Sequence, residues 1–174
     1  MLEAKLKNKL SAYTLKQYVP RPPDYYNLLD SGTIAPAFTG MDFQTGKPFT
    51  SSQFKGKVTV LDFWYMDCPW CIKAMPDLEK IYTEYKSKGL AVLGINSHDT
   101  TAKAKKRLPV FVSINKMNYD AVLTSRKTDS LFKVKEYPTL YIIDKKGKVA
   151  FTAIGYSNHL DSLLNVVIPK ELAK

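Results

Sequence analysis

Residues 58–71 read VTVLDFWYMDCPWC, an apolar run that ends in two cysteines separated by two residues. The run is rich in β-branched and aromatic side chains, which is typical of a buried β-strand. After Cys71, apolar residues recur at the spacing of one helix face. They are Ile72, Met75, Leu78, Ile81, Tyr82 and Tyr85. We therefore predict that Cys68 lies where a strand passes into a helix, with Pro69 in the first turn, where a missing N–H costs little.

The predicted position of Cys68 indicates redox chemistry. The first amides of a helix have no partner within the helix, and the helix dipole favours negative charge there, so both stabilise a thiolate at Cys68. Cys71 follows one turn later, where it is close enough to form a disulfide and is expected to lie deeper. We therefore expect Cys68 to attack a substrate disulfide and Cys71 to resolve the mixed disulfide.

The cysteine pair has two alternative uses, a zinc site and a structural disulfide. A zinc site needs two more soft ligands, but the chain has no other cysteine, and its two histidines, His98 and His159, are distant in sequence. An inert structural disulfide would restrain little of the unfolded chain, because the loop it closes is so short. The pattern therefore favours a catalytic pair, and no metal site is expected.

The motif Asp62-Phe63-Trp64, followed by Cys68-Pro69-Trp70-Cys71 and by Pro76 in the next helix, resembles the thioredoxin superfamily. More narrowly, it is similar to the extracytoplasmic TlpA/ResA-type (redoxin) thiol-disulfide oxidoreductases. The likeness covers about residues 34–168. It implies a thioredoxin-like α/β fold, with a central mixed β-sheet flanked by helices, an N-terminal β-hairpin extension and an internal insertion.

The expected domain organisation follows from this likeness. Residues 1–33 are expected to form an N-terminal helical arm or linker, and residues 34–174 the thioredoxin-like domain. Within the domain we expect a helix from about Thr101 and a short helix over residues 129–134. We also expect Ser157 to cap the last helix.

A second motif lies at residues 136–144, which read EYPTLYIID. It resembles the cis-proline segment of the superfamily. If Pro138 is cis, the backbone beside it faces the disulfide, and Tyr137 offers an edge on which an extended substrate pairs by strand addition. A proline at the head of a strand is also common simply because it needs no ladder donor there.

Asp62 is a candidate for proton transfer. It is an acid in an otherwise apolar strand, and burial would raise its pKa toward the working range. The resemblance places at this position a buried acid that relays protons to the resolving cysteine. Exposure at the strand end and a purely structural role remain alternatives. Gly94 stands where the superfamily often carries a lysine partner, which puts an acid–lysine pair in doubt.

The aromatic residues of the motif are candidates for substrate binding. Trp70, with Pro69, is expected to be exposed and to offer a stacking surface, and Trp64 is expected to form a wall of the site. Asp67 replaces the tryptophan that commonly precedes the first cysteine in the family, and its charge opposes thiolate formation. Ala74 stands where the members that serve cytochrome c maturation often have an acid, so that pathway is not implied.

Composition fits one domain and excludes several classes. The chain has 174 residues, with 26 basic and 16 acidic side chains and a net charge of +10. The lysines are scattered and lack a recognition motif, so nucleic-acid binding is not expected, and an electrostatic preference for acidic protein partners is a secondary hypothesis. No apolar run is long enough to span a bilayer.

The compartment is expected from the resemblance alone. The first residues, MLEAK, are not followed by the apolar core of a secretory signal, so the protein is either cytosolic or has lost a leader. The resemblance favours a periplasmic or otherwise extracytoplasmic protein, and membrane anchoring through a removed leader stays open.

The sequence therefore predicts dithiol–disulfide exchange with protein substrates and a protein electron donor, by a monomer without cofactors. A reductant is favoured. The direction of electron flow depends on small energies, because a change of about 30 mV in the reduction potential of the pair, or about 1.4 kcal/mol, changes the ratio of dithiol to disulfide tenfold. One alternative is a peroxiredoxin-like thiol peroxidase, since that class shares the hairpin. Such enzymes surround the reactive cysteine with a threonine and an arginine, whereas this chain has Met66 and Asp67. The other alternative is a non-enzymatic thioredoxin-fold binding module.

Overall fold

The computed structural model describes residues 27–174, which contain one seven-stranded sheet and four α-helices. The strands are β1 (Thr39–Asp42), β2 (Pro48–Thr50), β3 (Val58–Phe63), β4 (Leu90–Asn96), β5 (Asp120–Leu123), β6 (Thr139–Ile143) and β7 (Val149–Ile154). The helices are α1 (Pro69–Tyr85), α2 (Ala102–Ile114), α3 (Arg126–Leu131) and α4 (Leu160–Leu172). None of these helices combines the length and apolar character needed to cross a bilayer.

The sheet has the strand order β2-β1-β5-β4-β3-β6-β7. The central strand β3 is parallel to β4 and antiparallel to β6, and β4 is parallel to β5, so the sheet is mixed as predicted. Strand β3, helix α1 and strand β4 form the expected βαβ unit. The hairpin β1–β2 joins the sheet through an antiparallel pairing of β1 with β5.

Alternation along β3 sends successive side chains to opposite sides of the sheet. Val58, Val60 and Trp64 face the side covered by α1, α2 and α4, and both cysteines belong to the same cluster of buried side chains. Leu61 and Phe63 face the other side, where the core is largely aromatic. That core includes Phe38, Phe49, Phe132 and Tyr141.

Two local predictions need correction. The last helix begins after His159 and receives no side-chain cap there, because the Ser157 hydroxyl instead accepts the His159 N–H at 3.2 Å. Helix α3 lies earlier than predicted, since it starts at Arg126 and ends at Leu131, shortly before Lys133, whose φ of 54° lies in the left-handed region.

Most of the predicted arm, residues 1–26, lies outside the described residues. The remainder of the arm is tied to the domain by backbone hydrogen bonds. The Gly32 N–H donates to the Val149 carbonyl, and the Val149 N–H donates to the Thr33 carbonyl, both at 2.8 Å. The Leu29 N–H also reaches the Tyr141 hydroxyl at 3.3 Å. The domain boundary predicted at residue 34 stays a prediction.

Candidate active site

The two cysteines occupy the predicted junction between strand and helix. Cys68 is the N-cap of α1, and Pro69 is its first residue. Cys68 forms a disulfide with Cys71, with 5.2 Å between their Cα atoms. The Cys71 N–H also donates to the Cys68 Sγ at 3.1 Å. The first turn of the helix thus places one of its otherwise unpaired amides on the sulfur that is predicted to attack substrate.

The disulfide is covered on all sides. Cys68 is 2% exposed and Cys71 is 1% exposed. The expected difference in depth between the two cysteines is therefore absent from this oxidised structure. Access to either sulfur requires the side chains around the disulfide to move.

One wall beside the disulfide is formed by Trp70. Its side chain is 53% exposed, as predicted. Its ring stacks on that of Tyr156 at a centroid distance of 6.4 Å, and the Lys73 ammonium lies 4.5 Å from the tryptophan centroid. This wall therefore presents a half-exposed indole ring with a cation above it.

The opposite wall joins the cysteine turn to the cis-proline segment. The Tyr137–Pro138 peptide bond is cis. The register pairs Phe63 with Thr139, so Pro138 lies beside the end of β3. The rings of Tyr65 and Tyr137 meet edge to face at a centroid distance of 5.3 Å, which brings this segment against the turn that carries Cys68.

The backbone of Tyr137 is free for pairing. Among residues 27–174, neither its N–H nor its carbonyl has a hydrogen-bond partner. The Pro138 carbonyl, in contrast, accepts the Gly155 N–H at 2.7 Å. An unpaired N–H and C=O at a strand entrance is the arrangement to which an extended peptide adds.

Asp62 is fully buried beneath the site. Alternation places it on the same side of β3 as Trp64, the side covered by α1. Neither carboxyl oxygen has a hydrogen-bond partner among the described residues. Burial alone raises the pKa of Asp62 from 3.8 to about 8. The Tyr119 hydroxyl, also buried and unpartnered, is close enough for the Asp62 charge to raise the pKa of Tyr119 further, after burial itself.

Gly94 confirms that the lysine partner is missing. It pairs directly with Asp62 across β3 and β4. A Cβ at this position would lie only 2.6 Å from Trp64 Nε1, so the indole occupies the space that a side chain would need. Trp64 is fully buried and stacks on Phe111 at 5.4 Å. It supports the floor of the site from inside, and direct contact with substrate would require the site to open.

Sequence reasoning missed two buried carboxylates at the rim, Asp99 and Asp129. Asp99 Oδ2 accepts the Met66 N–H at 2.8 Å and the Asn96 amide at 2.7 Å, which holds the turn before the cysteines. Asp129 Oδ2 accepts the Tyr137 hydroxyl at 2.8 Å. The polar run that follows β4 was the available signal for Asp99, whereas no local pattern marks Asp129.

His98 lies between these groups. Its ring stacks on Tyr65 and meets Tyr137 edge to face, both at 4.7 Å. Burial, followed by the neighbouring Arg126 charge, lowers the pKa of His98, against the opposing effect of the two carboxylates. Within residues 27–174, no group of three His, Cys, Asp or Glu side chains is arranged to hold a metal ion.

Comparisons with known proteins agree with this geometry. Residues 31–152 match the AhpC/TSA family. The chain is 30% identical to the thiol-disulfide oxidoreductase ResA of Bacillus thuringiensis over 141 residues, 79% of each chain. It is 29% identical to the thioredoxin-like protein YneN of Bacillus subtilis over 127 residues, 73% of each chain.

Solved structures give the same result. One, described as a thiol:disulfide interchange protein DsbE from Chlorobium tepidum, has a TM-score of 0.74 and 30% identity, covering 83% of this chain and 99% of the other. The thioredoxin domain of a thiol-disulfide oxidoreductase from Bacteroides vulgatus has a TM-score of 0.69 and 27% identity, with coverages of 79% and 96%. The predicted thioredoxin-like fold is therefore confirmed.

Proposed function

Because the chain belongs to the AhpC/TSA family and is a thiol-disulfide oxidoreductase with the Cys68–Cys71 pair, we propose that it works as a reductant of disulfides in other proteins. The observation that supports protein substrates best is the unpaired backbone edge of Tyr137 beside the disulfide. A small disulfide needs no such edge, whereas a peptide segment gains main-chain hydrogen bonds from it.

The reaction runs through two exchanges. In the reduced protein, the Cys68 thiolate attacks one sulfur of a substrate disulfide, and the other substrate sulfur leaves as a thiolate. The Cys71 thiol then loses its proton to the Asp62 carboxylate and attacks Cys68 Sγ. The substrate leaves fully reduced, and the Cys68–Cys71 disulfide is formed. Two electrons pass to the substrate, and a dithiol partner protein returns them.

Asp62 suits the proton transfer because its pKa of about 8 lies between those of carboxylates in water and of thiols. Its position under α1 supports a role toward Cys71 rather than toward solvent. Substrate contacts are assigned to the Trp70 face and the exposed Pro69 on one side, and to Tyr137 and Pro138 on the other. Trp64 supports these contacts from below.

The compartment is part of the proposal. The resemblance to TlpA/ResA-type proteins supports a periplasmic or otherwise extracytoplasmic location. Protein disulfides form and persist in such compartments, so a reductase there would contribute to redox homeostasis. A reductase there requires electrons from a membrane donor. A monomeric state is part of the proposal as well, and anchoring to the membrane stays open.

A thiol peroxidase is the less supported alternative. The relatives and solved structures described above carry the names of thioredoxin-like and thiol-disulfide proteins. The residues before Cys68 are Met66 and Asp67, not the threonine and arginine expected around a peroxidatic cysteine. Peroxide consumption with a supplied reductant, retained in the Cys71→Ser variant, would favour the peroxidase.

The decisive experiment is a glutathione redox titration of the Cys68–Cys71 pair, read by thiol alkylation and mass shift. A potential of about −250 mV or lower is expected for a reductant, whereas about −120 to −180 mV would indicate an oxidant or isomerase. Cys68→Ser should abolish exchange, and Cys71→Ser should accumulate the mixed disulfide with substrate. A pair that does not exchange would favour the binding-module alternative.

A further inference from the structure

Tyr137 is held at both ends of its side chain. Its backbone precedes the cis-proline, and its hydroxyl donates to Asp129 Oδ2 at 2.8 Å. Between these points, its ring packs against Tyr65 and His98 at 5.3 and 4.7 Å. Burial, and then the hydrogen bond to Asp129, raise the pKa of Tyr137 far above its ordinary range, so the hydroxyl remains a neutral donor.

Asp129 joins two other segments to its own helix through one oxygen. It is 4% exposed and belongs to the short helix α3. Besides the Tyr137 hydroxyl, its Oδ2 accepts the hydroxyl of Ser97 from the end of β4. The same oxygen lies 3.3 Å from the Arg126 guanidinium. A carboxylate this deeply buried is stable only when it is hydrogen-bonded and paired with a cation. Moving any of its three partners away would be costly, so Asp129 holds them in place.

Arg126 extends the network to the cysteine turn. Its guanidinium contacts His98 Nε2 and lies 3.4 Å from the Tyr137 hydroxyl. His98 in turn stacks on Tyr65, which is three residues before Cys68. The unpaired backbone edge is therefore connected to the reactive turn through side chains that converge on Asp129.

We propose that Asp129 is a positioning residue for substrate. It holds the unpaired backbone of Tyr137 in the position and orientation that bring the disulfide of a bound peptide to Cys68. This inference rests on the proposed function. Asp129 does not touch the reacting sulfurs. Its contribution is expected in the binding of extended peptides and not in exchange with a small disulfide, which makes no use of the edge.

The test compares two substrates with the reduced protein in single-turnover reactions: insulin, which offers disulfides within peptide segments, and 5,5′-dithiobis(2-nitrobenzoate), which does not. The quantity compared is the second-order rate constant for insulin divided by that for the small disulfide. Asp129→Ala should lower this ratio about tenfold, since a hydrogen bond to a charged group is lost. In steady-state assays the loss should fall on KM for insulin more than on kcat.

Asp129→Asn tests the conservative rescue. The asparagine carbonyl still accepts the Tyr137 hydroxyl, so the ratio should return to within about threefold of the unsubstituted protein. Tyr85→Phe is the matched control. It also removes a tyrosine hydroxyl that is hydrogen-bonded to a side chain, at 3.2 Å from Asn165, but between α1 and α4 and away from the rim. Its ratio should not change.

A ratio in Asp129→Ala within about twofold of the unsubstituted protein, or an equal loss of both rate constants, would overturn the inference. If Asp129→Ala does not fold, Tyr137→Phe provides the test, because it removes only the hydroxyl oxygen that bonds to Asp129. An unchanged ratio in Tyr137→Phe would refute the positioning role of this hydrogen bond. A protein that exchanges with the small disulfide but never with insulin would instead refute the proposed protein substrates, and the inference with them.

Discussion

Asp62 and Asp129 are both buried carboxyl groups near the same disulfide, but their surroundings differ. Asp62 lies on the side of the sheet that α1 covers, and none of the described residues forms a hydrogen bond with its carboxyl group. Asp129 lies at the rim, where two hydroxyl groups and a guanidinium converge on one of its oxygens. Asp99, also at the rim, accepts a backbone amide and a side-chain amide.

The two carboxyl groups are similarly buried and differ in their hydrogen-bond partners. An unpartnered buried carboxyl resists ionisation, and its pKa rises until it can exchange a proton near neutral pH. A carboxyl group with several hydrogen-bond partners instead fixes the groups around it in place. We therefore expect the interior carboxyl to affect pH dependence, and the rim carboxylates to affect structure and substrate binding.

The largest expected effect comes from Asp62→Asn. Between about pH 4 and pH 8, native Asp62 keeps a proton that the unfolded chain has released, so stability falls as pH rises through this range. The amide removes this loss. At pH 7 we expect the variant to be more stable by on the order of 4 kcal/mol, in urea unfolding followed by circular dichroism.

The pH series provides the control. At pH 4.5 the two proteins should differ by only about 1 kcal/mol, because this pH lies close to the value of 3.8 at which the unfolded chain begins to gain from releasing the Asp62 proton. Equal stability at pH 7 would mean that Asp62 finds partners in solution and belongs with the rim carboxylates. The second exchange step should also slow in the variant, if the proton transfer is assigned correctly.

Asp99→Ala should destabilise the protein by about 2–3 kcal/mol, because it leaves the Met66 amide and the Asn96 side chain without an acceptor. Thermal and urea unfolding at pH 7 measure the loss. The matched control is Asp161→Ala, which removes a more exposed carboxylate paired with Lys80 at 3.2 Å and should cost less than about 1 kcal/mol. Similar losses in the two variants would show that the rim is not held by Asp99.

Gly94→Ala tests how tightly the interior is packed next to Asp62. The added Cβ would meet Trp64 Nε1 at 2.6 Å, so we expect a loss of about 1–3 kcal/mol of unfolding free energy. Combining it with Trp64→Phe should recover part of that loss, since the phenyl ring is smaller. Strict additivity of the two substitutions in this double-mutant cycle would contradict the contact.

Trp70→Ala should have the smallest effect on stability, within about 0.5 kcal/mol, because the ring is half exposed and lies at the surface. Its effect should instead be seen in slower reduction of insulin. Trp70→Phe, which keeps an aromatic face toward Tyr156, should retain most of the rate. A large loss of stability would show that this wall is part of the core.

The sequence predicted the parts of the site that lie close together in the chain. Strand β3 and the cysteines at the start of α1 follow from local patterns, whereas a cis bond before Pro138 was suggested by the resemblance to the cis-proline segment. The rim network did not, because the Asp99 bond to Met66 spans 33 residues and the Asp129 bond to Ser97 spans 32. Trp64 was expected at a wall, but its position under Phe111 depends on how α2 packs.

The burial of the disulfide also sets which thiols can compete for it. Exchange requires in-line approach of a thiolate to a sulfur, and both sulfurs are almost completely covered. A dissolved thiol such as glutathione makes few contacts with the surface around the disulfide, whereas a protein donor docking on that surface makes many. We therefore expect a docked protein donor to reduce the disulfide much faster than glutathione does, and the glutathione titration to need long incubation before it reaches equilibrium.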